Sequence, residues 1–108
     1  MVQAVENWAC VAGRVVSLRD TEPAPGVDAA VFAILSIAVE RVSAVEGFRN
    51  LLTDFPGTTI AVRVRRAQIA NIGSLVGRSF RVPVAVAGPA TLFVHPGWTA
   101  ASGSPLCP

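Results

Sequence analysis

The chain has 108 residues, of which 52% are apolar and 15% charged, and its formal net charge is +2. That length accommodates one domain with a substantial core and argues against two. The charged fraction is well below the usual ~25%, which excludes a mainly ionic surface, and so small a net charge does not by itself imply a nucleic-acid partner.

Trp8 to Leu18 (WACVAGRVVSL) predicts the first strand, with Gly13 at a bend or bulge where a small barrel must coil. Arg19 to Asp28 holds Pro23, Pro25 and Gly26 and predicts a loop. Ala29 to Val42 predicts a long, β-branched second strand. Val31, Ala33, Leu35, Ile37 and Val39 form its more uniformly aliphatic face, assigned to the core. Phe32, Ile34, Ser36, Ala38 and Glu40 form the other, which leaves Phe32 and Ile34 as an apolar outer patch. Ser43 to Gly57 has neither a clean strand nor a clean helix period; a helical turn is expected around Phe48 to Leu52.

From Thr58 to Gly88 the pattern reads strand, short helix, strand. Ile60, Val62 and Val64 alternate with Ala61, Arg63 and Arg65. Ile69, Ile72 and Val76 then recur at helical spacing, predicting a helix over Ala67 to Val76, with Gly77 at its stop. Phe80, Val82, Val84 and Val86 restore the two-residue period. Gly88-Pro89 turns the chain into a last strand, Ala90 to His95, and the Pro-, Gly- and Ser-rich tail is expected to be loose beyond Ala100. The fold class is therefore all-β: a five-stranded OB-fold-like barrel with one short helix between strands three and four plugging its end. Residues 1–100 make a single domain and 101–108 a flexible tail.

Ala29 to Val39 is too short an apolar run to span a bilayer. The segment before Trp8 lacks the basic region of a signal peptide, and Glu6 interrupts it, so no membrane association and a cytoplasmic location are expected. Cys10 and Cys107 could pair; a buried thiol plus a loose tail thiol suits a cytoplasmic protein better.

Catalytic chemistry finds no constellation. His95 is the sole histidine and has no sequence neighbour to orient it. Cys10 lies in an apolar run, and the carboxylates of Asp20, Glu22, Glu40 and Glu46 are spaced as solvated charges. No CxxC, HExxH, phosphate-binding loop or GxGxxG is present, so neither an enzyme nor a metal or cofactor site is expected.

The arginines are distributed unevenly. All acids lie between Glu6 and Asp54, whereas Arg63, Arg65, Arg66, Arg78 and Arg81 fall in one strand-helix-strand unit, and there is no lysine. If Ile60, Val62 and Val64 face inward, Arg63 and Arg65 face outward, and the same parity turns Arg81 and Arg14 outward. The ligand face of an OB-fold is built mainly on its second and third strands. Arg63, Arg65 and Phe32 could therefore share one surface that contacts phosphates and stacks a base, with Arg14 and Arg81 as further cationic candidates. Trp8 and Trp98 could add to it or pack on the barrel.

Several of these segments resemble bacterial single-stranded-DNA-binding proteins and their primosomal replication relatives. Gly13-Arg14, the loop Pro23 to Gly26 and the strand Phe32 to Val39 follow the opening pattern of that family. Ala70, Leu75, Gly77, Phe80, Val82 and Gly88 are similar to its later run. The resemblance implies an OB-fold, single-stranded DNA as ligand and a homo-oligomer. The chain departs from the family in lacking lysine, in having few strand aromatics and in ending SPLCP instead of with an acidic tail. Two readings of function stand together: non-catalytic binding of single-stranded nucleic acid, or a homo-oligomeric assembly module joined through Phe32 and Ile34. A small-molecule or oligosaccharide binder using the same face is a third.

Overall fold

A computed structural model of the chain describes residues 6–20, 30–70, 74–87 and 91–107. Five strands form in chain order: β1 (Ala9–Asp20), β2 (Phe32–Ala44), β3 (Thr59–Arg65), β4 (Ser79–Val86) and β5 (Leu92–Val94). They close into a barrel in the order β1-β2-β3-β5-β4, with β4 returning to β1. All pairings are antiparallel except β3 with β5. This is the expected OB-like barrel.

Alternation builds β2 and β3, whereas Val82 to Ala85 of β4 are buried in succession. Ala33, Leu35, Ile37 and Val39 of β2 are buried, as are Ile60, Val62 and Val64 of β3 and Val82 and Val84 of β4. With Val11, Val15, Leu92 and Val94 they fill the interior. Each inward β-branched side chain suits a pleated, half-buried surface. Val31, expected in the core, is exposed instead: strand pairing starts at Phe32, and the Val31 carbonyl accepts from the Arg66 amide just past the end of β3. The predicted start at Ala29 lies outside the described residues.

Gly13 occupies the anticipated bulge. Between Ala12 and Gly13 the β1–β2 register shifts so that Glu40 has no partner across the ladder, and a second shift leaves Val16 extra on β1. A side chain at Gly13 would run into the Ala38 carbonyl and stand 2.7 Å from Ile37 Cγ2. The two bulges coil this long hairpin enough to close the barrel.

Two connections and the last strand differ from expectation. Residues 45–58 form turns without a helix; Phe55 N–H donates to the Leu52 carbonyl, and Leu52 drives a fully buried side chain into the core. The helix over Ala67 to Val76 shrinks to a 3₁₀ turn, Arg66–Ile69, and Ala70 is already extended at φ −68°, ψ 150°. Val76, meant for the helix's buried side, is 52% exposed, and Ile72 lies outside the described residues. The last strand has only three residues.

The reason for the short helix lies in the tail. Trp98 is fully buried, its indole N–H donates to the Arg81 carbonyl, and Phe80 meets it edge to face at 6.0 Å. Gln68 joins it: its amide nitrogen donates to the carbonyls of His95 and Trp98, and its oxygen accepts from Arg65 N–H. An indole thus fills the barrel end where β3 leaves and β4 enters, the place expected for the helix.

Beyond Trp98 the chain makes two more turns, Thr99 with Gly103 and Ser104 with Cys107. It ends in a disulfide between Cys107 and Cys10 on β1, with the Cα atoms 5.5 Å apart. The expectation of two separate thiols is corrected: the turns bring Cys107 back along the barrel wall to the outward side of β1, where Cys10 stands half-buried between the inward Ala9 and Val11.

Candidate functional site

Three strands place the outward residues singled out above. Phe32 on β2 is opposite Arg65 on β3, and Ile34 is opposite Arg63. Arg63 in turn is opposite Phe93 on β5. Period-two geometry sends all five side chains to the outer face, because Ala33, Val62, Val64, Leu92 and Val94 point inward.

The side chains interlock as alternating charge and ring. The Arg65 guanidinium carbon lies 5.6 Å from the Phe32 ring centre, and that of Arg63 lies 5.7 Å from the Phe93 ring centre. Phe32 and Phe93 meet edge to face, with centroids 6.4 Å apart and planes at 73°. Both rings are half-buried, so each retains a solvent-facing part. Among the described residues neither Arg63 nor Arg65 is in an ion pair; the neighbouring Arg66 pairs with Asp20 at 2.6 Å. A guanidinium held over a ring keeps its in-plane N–H groups available for an oxyanion, which a carboxylate partner would occupy. Beside the ladder, Ile34, Ala61, Arg63, Thr91 and Leu92 line a cleft of about 110 Å³.

The sequence-derived set is therefore divided. Phe32, Ile34, Arg63 and Arg65 come together. Arg14 does not join them: it is exposed on β1 between Ala38 of β2 and Ser79 of β4, four residues along β2 from Ile34. Arg81 is farther round the barrel, opposite Ala12. The tryptophans are elsewhere too. Trp98 is core, and Trp8 meets His95 with ring centres 4.5 Å apart while donating to Glu6. His95 accepts a hydrogen bond at Nδ1 from Gly97 N–H, a local turn contact.

Phe93 is the residue that sequence reasoning missed. Its signal was present: Leu92 and Val94 share one parity, so Phe93 between them had to face out. Among the described residues no group of three His, Cys, Asp or Glu side chains could hold a metal ion. No helix among them is long and apolar enough to cross a membrane.

No family model matches the chain, and no curated protein or solved structure proves significantly similar to it.

Proposed function

We propose that the β2–β3–β5 face binds single-stranded nucleic acid without catalysis, with Phe32 and Phe93 stacking bases and Arg63 and Arg65 contacting phosphates. The observation that carries this reading is the ladder Arg65–Phe32–Phe93–Arg63, in which two rings and two cations that make no ion pair among the described residues share one open surface. Base stacking and backbone charge neutralisation together are what sequence-tolerant single-strand binding needs. The motif resemblance to single-stranded-DNA-binding proteins points the same way. Arg14 on β1 and Arg81 on β4 lie outside this ladder.

Fluorescence anisotropy with labelled oligothymidylate and oligoadenylate across a salt series tests the proposal. Binding that weakens with salt and is lost in Phe32→Ala plus Phe93→Ala supports it. Failure of every oligonucleotide to bind at low salt sinks it.

A second reading, assembly with copies of itself, draws on a different observation. Val16, Leu18 and Val31 are each at least 40% exposed near the same end of the β1–β2 hairpin, whereas Phe32 and Ile34 are half-buried by their neighbours. An apolar surface of this kind favours a protein contact. Light scattering at micromolar concentration decides it: a mass of at least twice the chain, reduced by Leu18→Asp, supports assembly, and a monomer excludes it.

A further inference from the structure

The two rings of the ladder set a condition on what can lie across them. Phe32 and Phe93 meet edge to face, with centroids 6.4 Å apart and planes at 73°. In a stacked strand successive bases are parallel and advance by about 3.4 Å. A base laid flat on each phenylalanine takes the plane of that ring, so two bases held by the ladder are turned 73° from each other. They cannot be stacked on one another at the same time. The angle is built into the face. Both rings are half-buried, each stands at a paired strand position, and each has a guanidinium carbon 5.6 or 5.7 Å from its centre. Edge-to-face contact is itself a favoured aromatic geometry.

The cations fix the length of strand that fits. Arg63 and Arg65 stand two residues apart on the outward side of β3, which sets their Cα atoms about 6.6 Å from each other. Neighbouring phosphates of an extended backbone fall within reach of two long side chains so placed. Two rings and two cations therefore serve two nucleotides. Opening the stack between those nucleotides costs free energy, and least where the step is already open. Resting on the nucleic-acid reading of this face, we propose that its ligand is a single unstacked dinucleotide step, as in the loop of a hairpin, in preference to a continuously stacked strand or a duplex. Selection then acts on how readily a step opens, with no need for contacts to base edges.

Two probes test the proposal. The first is a dinucleotide of two 2-aminopurines with a phosphate at each end, a base that is dim when stacked and brightens when its stack opens. Its emission should rise on saturation with the full chain. Phe93→Ala should weaken binding about tenfold or more and remove most of the rise. Phe93→Leu, which keeps an apolar side chain between Leu92 and Val94 but no ring, should do the same, and an unchanged circular dichroism spectrum checks that the barrel survives. The second probe is a DNA hairpin with a thymidine loop, which should bind more tightly than a blunt duplex of the same stem. Failure of oligothymidylate itself to bind removes the nucleic-acid reading and this inference with it. Where oligothymidylate binds, three results overturn the unstacked step alone: no binding of the dinucleotide, unchanged or falling emission on its saturation, or equal affinity for hairpin and duplex.

Discussion

Arg63 stands opposite Phe93 in the parallel pairing of β3 with β5, and its guanidinium carbon lies 5.7 Å from the centre of that ring. Charge and ring respond to different perturbations, so this pair separates the two halves of the proposed binding mode. Each phosphate contact should contribute about −0.7 to the log-log slope of single-strand affinity against salt. Arg63→Ala is expected to flatten the slope by about that amount. Phe93→Ala should weaken binding by roughly 1–3 kcal/mol while leaving the slope nearly unchanged, as loss of one stacked base would. Anisotropy titrations at four or more salt concentrations read both quantities; equal behaviour of the two variants would refute the division of roles.

Gln68 is buried, and its amide ties three segments together: Arg65 N–H, the His95 carbonyl and the Trp98 carbonyl. Gln68→Leu keeps the bulk but strands the Arg65 N–H and the Trp98 carbonyl, while the His95 carbonyl still accepts from the Trp98 N–H. Each buried group left without a partner costs about 1–3 kcal/mol. The urea midpoint should therefore drop markedly at an unchanged m-value. A midpoint equal to that of the unaltered protein would show that Trp98 holds the barrel end without it.

Much of the barrel was legible because period-two alternation is a local signal. Ile60, Val62 and Val64 on one parity, with Arg63 and Arg65 on the other, need only their own strand to be read. The same holds for Gly13, whose lack of a side chain marks a place where two backbones meet closely. The helix over Ala67 to Val76 failed because the decisive residue was remote. Trp98 takes the barrel end, and Gln68 spends its amide on the tail's carbonyls instead of supporting a longer helix. The Cys10–Cys107 pairing was open for a similar reason: the two are 97 residues apart, and only the path of the tail brings them together. At the site, strand parity correctly gathered Phe32, Arg63 and Arg65. It could not show that Arg81 lies across β1 from Arg41, since that depends on how β4 closes the barrel.

Gly13→Ala tests the bulge. The added methyl would overlap the Ala38 carbonyl and crowd Ile37 Cγ2. Carbonyl backbone in a paired strand cannot yield as a flexible side chain can, so overpacking should cost on the order of 1–3 kcal/mol. Gly97→Ala is a useful contrast, since its new methyl would meet only the His95 ring, at 3.1 Å from Nδ1. Thermal melts of both variants should show a clear loss for Gly13→Ala and a smaller one for Gly97→Ala; the reverse order would count against the close approach of β1 to β2.

The disulfide gives the largest expected effect. Joining Cys10 to Cys107 closes a loop of 97 residues, and the chain-entropy relation assigns such a link about 4–5 kcal/mol of stabilisation through the unfolded state. Cys107→Ser, or reduction of the unaltered protein, should lower the urea midpoint accordingly. The folded barrel should persist at low denaturant, because the apolar burial of Trp98 and Leu52 is a source of stability separate from the bond. Near-ultraviolet dichroism of the buried Trp98 reports whether the barrel end stays packed, and thiol trapping before lysis reports whether the bond exists in the cell. Persistent free thiols in cells would mean that the linked form belongs to oxidising surroundings only. Unchanged stability on complete reduction would show that the tail adds nothing to the barrel beyond the contacts of Trp98.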